Sequence, residues 1–174
     1  AQTLVKIATL QTQSSDFSKA RTSYEQAMAL APRDTEIALT YAQALIAQGE
    51  WNDAKRVVEN ALHNDPSNTR ALILQVAIES KIGTPERAGA LATRALALNI
   101  SDPNDALMLA NAMRAAGNRD GANRVLSRLA AQANASDTTQ ALNIANALRD
   151  AGLYDLAAPL YEKLLNADPK NEQA

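Results

Sequence analysis

The residues of this chain that could do chemistry are few. There is one histidine and no cysteine among 174 residues, which removes thiolate nucleophiles, disulfides and Cys/His zinc sites. His63 precedes Asn64-Asp65-Pro66, a place where an imidazole favours the C-terminus of a helix electrostatically. No HExxH, EF-hand, GxGxxG or P-loop pattern accompanies it. Gly117-Asn118-Arg119-Asp120-Gly121-Ala122 resembles a phosphate loop only loosely and reads better as a helix stop followed by a cap. These absences predict a protein that is not an enzyme and holds neither cofactor nor metal. What remains is a phrase that occurs twice, LANAMRAAG at 109–117 and IANALRDAG at 144–152. Its asparagines, Asn111 and Asn146, are mediocre helix formers, and each is followed one helical turn later by an arginine, Arg114 and Arg149. A side-chain amide donates and accepts at once, which suits the backbone of an extended peptide, and a guanidinium fork suits a carboxylate. Two blander origins stay open: bonds to neighbouring helices and acids, or recent duplication of one unit.

The elements that must position these residues follow from an internal period. Gly49, Gly83, Gly117 and Gly152 are separated by 34, 34 and 35 residues, with Ser15 in the equivalent place ahead of them. Five places after each lies an alanine: Ala20, Ala54, Ala88, Ala122 and Ala157. Turn prolines recur at Pro32, Pro66 and Pro169. The resulting units are 1–34, 35–68, 69–102, 103–137 and 138–171, followed by a tail at 172–174. Alanine is abundant, aromatic residues make up 3% of the chain, and β-branched residues never alternate, so helix is favoured throughout. Each unit reads as two helices. Asp34, Asn68, Asp102 and Asp137 are placed to cap first helices, and Ser18, Asn52, Thr84, Asp120 and Asp155 to cap second ones. Gly49 is expected to end its helix in the left-handed conformation, and Trp51 to pack on the adjoining hairpin.

A 34-residue helix-turn-helix with these small, apolar and proline columns resembles the tetratricopeptide repeat, over essentially the whole chain. Small residues at Ala8, Ala42, Ala110 and Ala145 oppose the alanines of the second helices. A single hairpin cannot bury both its faces, so the units must stack. The resemblance implies an all-α, right-handed α-solenoid of five units whose concave groove is lined mainly by first helices. It also implies a non-catalytic scaffold that binds a protein or peptide partner there. On that reading the groove columns are Thr9, Gln43, Ala77, Asn111 and Asn146, then Thr12, Ile46, Ser80, Arg114 and Arg149, over an apolar stripe of Val5, Leu39, Ile73, Leu107 and Leu142. The candidate partner-binding residues are therefore Asn111, Arg114, Asn146, Arg149, Gln43, Leu107 and Leu142. Val5, Thr9 and Gln43 stand where family members that clamp acidic C-termini carry a lysine and asparagines, so that clamp is absent.

Unit three departs most from the pattern, with Val76, Gln75 and Glu79 in small or apolar columns and Gly89 inside its second helix, and is expected to be the softest joint. An additional residue in QANASDT, 132–138, is expected to change the angle to unit five. Leu160 and Leu164 are expected to lie partly uncovered at the C-terminal end, which makes a structural spacer or end-to-end oligomerisation module the alternative.

Net charge is −2 and the 17 basic residues are scattered, which leaves no footprint for nucleic acid. No run of about 18 apolar residues offers a membrane span. The missing initiator methionine predicts a fragment of a longer protein. In style the array is similar to repeat regions of bacterial envelope proteins, such as those of exopolysaccharide export or pilus assembly. That likeness implies a periplasmic location, with the cytoplasm as alternative.

Overall fold

A short polar side chain opens each first helix that follows a turn. Asp34 accepts from the N–H groups of Glu36 and Ile37, Asn68 from that of Ala71, Asp102 from those of Asn104 and Asp105, and Asp137 from that of Gln140. These bonds satisfy donors that a helix start leaves orphaned. The computed structural model describes residues 1–98, 100, 102–133 and 137–167. Pro169, the tail and the inserted turn residues 134–136 lie outside them. The first helices of the five units are α1 (Gln2–Gln13), α3 (Thr35–Ala47), α5 (Thr69–Ile82), α7 (Pro103–Ala115) and α9 (Thr138–Asp150). The second helices are α2 (Phe17–Leu30), α4 (Trp51–Asn64), α6 (Pro85–Leu96), α8 (Arg119–Gln132) and α10 (Tyr154–Ala167). There is no strand among the described residues, and the architecture is an all-α helical repeat solenoid.

The hairpin turns correct the expected second caps. Gly49, Gly117 and Gly152 have φ of 77°, 80° and 78°, and Ser15 adopts 62° in the same place. One left-handed residue reverses the chain so tightly that the next residue is already the cap and the helix resumes one place later. Asp16 and Asn118 therefore take the capping role assigned to Ser18 and Asp120. Glu50 replaces Asn52 without a side-chain bond, and α10 starts at Tyr154, ahead of Asp155. Thr84 does cap α6, accepting from the N–H of Arg87 with Pro85 next to it. There α5 runs on to Ile82, and Gly83 is extended.

The alanine columns meet as the spacing requires: Ala8, Ala42, Ala110 and Ala145, with Ala20, Ala54 and Ala122, have no exposed surface, and Ala157 has almost none. Large side chains then fill the space between hairpins in two clusters. Ala71, Leu74 and Ile78 of α5 belong to the N-terminal cluster, whereas Leu72, Ile73 and Val76 belong to the C-terminal one. Unit three is thus where the two cores join through opposite faces of one helix. Trp51 is half-buried against the N-terminal cluster. The expected exposure of Leu160 and Leu164 is overturned, because both are buried, 4% and 0% exposed. Leu160 faces inward as part of the C-terminal cluster. Leu165 and Leu156 are the α10 leucines left open.

Candidate functional site

Successive first helices pack side by side from α1 to α9, while among the second helices only α8 and α10 meet closely within the described residues. The first helices are therefore the inner layer, and their outward columns face a common surface. Between α7 and α9 this surface sinks into a recess of about 380 Å³. Its polar lining is Asn104 and Asn111 of α7 with Asn143, Asn146 and Asp150 of α9, over an apolar floor that includes Leu107.

The structure brings Asn111, Asn146 and Leu107 together there and places the other candidates elsewhere. Arg114 reaches from α7 to donate to the backbone carbonyl of Asp150 at 2.5 Å, a guanidinium set on the negative end of α9. Arg149 donates through Nε and Nη2 to the Asp150 carboxylate at 3.0 and 2.9 Å, and that bond holds its guanidinium even more firmly protonated than usual. Neither arginine lines the recess, although both bond Asp150, which does, and the Arg149 side chain stays 55% exposed. Leu142 is half-buried on α9 outside the lining. Gln43, on α3, accepts from Arg70 Nη2 at 3.1 Å. Three polar lining residues were missed by sequence reasoning, Asn104, Asn143 and Asp150, besides the apolar Met108 and Ala147. Their signal was in the spacing, since Asn104 lies two turns before Asn111 and Asn143 one turn before Asn146, on the same helix faces.

Hydrogen-bond capacity separates the recess from the rest of the inner layer. The side chains of Asn104, Asn111 and Asn143 make no hydrogen bond to other described residues. Asn146 spends its oxygen on the Tyr161 hydroxyl of α10, which donates at 2.7 Å, and keeps its amide donors. Further along the groove the polar groups are occupied with each other. Thr9 donates to the carbonyl of Val5 at 2.9 Å. Arg70 of α5 spans three units, 3.5 Å from Glu36 and 4.0 Å from Asp105, besides its bond to Gln43. Burial pushes the Asp105 carboxyl above its ordinary value, with neighbouring Asp102 adding to the rise and Arg70 opposing it.

His63 ends exposed in the last turn of α4. No group of three or more metal-ligating side chains gathers among the described residues, nor is any of their helices long and apolar enough to cross a membrane.

A family model described as tetratricopeptide repeat matches residues 11–78, and a second with the same description matches residues 107–172. The chain belongs to the tetratricopeptide repeat family. No curated protein sequence matches it. Among solved structures, the fold of this tetratricopeptide array is similar to that of TTC0263, a thermophilic TPR protein of Thermus thermophilus, with a TM-score of 0.66 at 19% identity over 98% of this chain and 92% of that one. It is similar to PilW, a widely conserved type IV pilus biogenesis factor, at 0.64 and 22% identity over 98% and 79% of the chains. YrrB, described as a TPR protein with an unusual peptide-binding site, aligns at 0.54 and 16% identity over 98% and 87%. Likenesses at such identity carry the fold alone. Tetratricopeptide arrays bind protein or peptide partners, and the chain is a scaffold of that kind.

Proposed function

We propose that the recess between α7 and α9 holds an extended segment of a partner protein, read mainly through its backbone. The observation that carries this is the row of asparagine amides with unspent donors and acceptors above an apolar floor. An extended peptide offers alternating N–H and C=O groups that such amides satisfy, while Leu107 receives an apolar side chain. With both arginines turned to Asp150, the recess does not select a carboxylate. The style of the sequence supports a bacterial envelope assembly, in exopolysaccharide export or pilus biogenesis, with the partner met in the periplasm, and PilW, which shares the fold, is a type IV pilus biogenesis factor.

The test is a photo-crosslinking residue in place of Asn143 in the cell of origin, with the same residue in place of exposed Arg128 on α8 as control. A discrete adduct from position 143, lost on Asn111→Ala with Asn146→Ala and found in the periplasmic fraction, is the expected result. Equal labelling from position 128, or an adduct that survives the double variant, would sink the groove reading.

A second reading, end-to-end association, draws on the ends of the array. Ile7 and Leu10 of α1 are 41% and 64% exposed, whereas Tyr41 and Ala44, one unit on, are 4% and 8% exposed. At the other end Leu165 is open, although its counterparts Met28, Leu62 and Leu96 pack against the cores. The C-terminal hairpin of a second copy would cover α1 as the units cover one another. Sedimentation that stays monomeric up to high protein concentration, and does not change with Ile7→Ser and Leu10→Ser, would refute it.

A further inference from the structure

The second helices of units one and two, α2 and α4, do not meet closely, and a recess of about 360 Å³ lies between them. Met28 of α2 and Val57 of α4 wall it, over a floor of Tyr41 and Leu45 from α3. Its rim is Glu25, Arg56 and Asn60, all exposed. Tyr41 donates its hydroxyl to Glu25 Oε1 at a long 3.3 Å, and burial pushes that phenol up to about 12, so it stays a donor. Both guanidiniums nearby are engaged by other acids, Arg21 by Glu50 and Asp53, and Arg56 by Asp53. Glu25 is thus the carboxylate of this cleft with no ion-pair partner among the described residues.

We infer that this recess is a second docking site, one that takes an apolar side chain of a partner protein with a basic residue beside it. The occupant follows from how this cleft differs from its repeats. Between units two and three the floor positions are Gln75 and Glu79, and Glu79 is held by Lys55 and Arg87. Between units four and five α8 and α10 close to leave about 200 Å³, with Ala130 in the column of Met28. The rim columns read Glu25 with Asn60, Glu59 with Arg94, Thr93 with Arg128 and Ser127 with Lys163. A basic residue therefore stands at every later rim and opposes an incoming cation, whereas the first pairs a carboxylate with a neutral amide. The apolar side chain fills the space that Met28 and Val57 enclose, and the basic neighbour on exposed Glu25 fixes orientation and selectivity more than affinity. The site lies among second helices, apart from the asparagine recess of the inner layer, and does not depend on it.

The probe is the capped dipeptide acetyl-leucyl-lysine amide, compared with the same dipeptide carrying glutamate in place of lysine. The chain has three methionines, so methyl-labelled methionine gives three NMR signals with separate meanings. Met28 reports this recess, Met108 the asparagine recess, and Met113 has no exposed surface. A saturable Met28 shift is expected from the lysine dipeptide, with Met108 and Met113 moving little. Glu25→Gln should weaken binding about threefold, as loss of an exposed ion pair does, and so should Asn60→Arg, which copies the later rims. Both positions lie on the surface, so both variants keep the fold. No saturable Met28 shift up to about 30 mM, an equal response to the glutamate dipeptide, or unchanged binding by both variants would each overturn the site.

Discussion

The inner faces of units one and two and of units four and five carry the same columns and use them differently. In the N-terminal pair the polar side chains are spent within the fold: Thr9 on Val5, Gln43 on Arg70, and Tyr41 on Glu25 at 3.3 Å while its ring stacks on Tyr24 at 5.1 Å. In the C-terminal pair the matching asparagines line a recess with most of their bonding capacity unspent. Outside the groove the N-terminal pair is also pinned by charge, with Arg21 of α2 ion-paired to Glu50, the residue before α4, and to Asp53 of α4, which Arg56 also joins. One repeat pattern therefore supports a closed half and a half with polar groups to offer. A buried polar group stabilises when paired, and the same group left open is available to a ligand.

The largest expected effect tests whether the halves are one body. Leu72, on α5, belongs to the C-terminal cluster, and Trp51, on α4, packs on the N-terminal one. Leu72→Ala should cost about 2–5 kcal/mol, the range for emptying a buried leucine site. Trp51 fluorescence and far-UV circular dichroism should shift together in a urea melt. Separate midpoints would show two bodies divided at unit three, as the softness expected there would have it.

Next comes the open half. Asn111→Ala with Asn146→Ala should weaken the partner about tenfold or more, as loss of several ligand hydrogen bonds does, and leave helicity intact. Gln43→Ala, its counterpart in the closed half, should leave affinity unchanged, and isothermal titration against the cross-linked partner distinguishes the two.

A smaller change is expected from Tyr161→Phe, which removes the 2.7 Å bond to Asn146. The loss should be about 1 kcal/mol in a thermal melt, with the freed Asn146 oxygen available to a ligand.

The finest comparison is in acid, where the halves should respond with opposite signs. Arg21, and after it Arg56, hold the Asp53 carboxyl below its ordinary value of 3.8. Its contribution is present above that value and disappears as pH falls through the lower folded pKa. Asp105 is raised by burial, so its contribution is full below 3.8 and is lost as pH rises through the folded pKa. Asp105→Asn should therefore raise stability at neutral pH with a gain that vanishes in acid, whereas Asp53→Asn should lower it at neutral pH. Melting curves of both variants between neutral pH and pH ~3 read the signs.

The unit boundaries were drawn from glycine spacing, and the caps Asp34, Asn68, Asp102 and Asp137 were legible one by one because each is a local matter of a side chain and the N–H groups two or three residues on. The second caps were misplaced at Ser18, Asn52, Asp120 and Asp155, because how far a left-handed residue carries the chain before a helix resumes is geometry and not composition. The recess was partly legible. Asn111 and Asn146 announced themselves by poor helix propensity in a repeated phrase, but the destination of Arg114 depends on where the last carbonyl of α9 lies, 36 residues away.

The 34-residue period, its glycines and its small columns determine by themselves that this chain is a stack of helical hairpins. A hairpin with two apolar faces has no other way to bury them. Which polar side chains the stack consumes and which it leaves for a partner was decided only by tertiary packing. A side chain's unspent bonding capacity depends on neighbours from other units, and a one-dimensional pattern carries no distances between them.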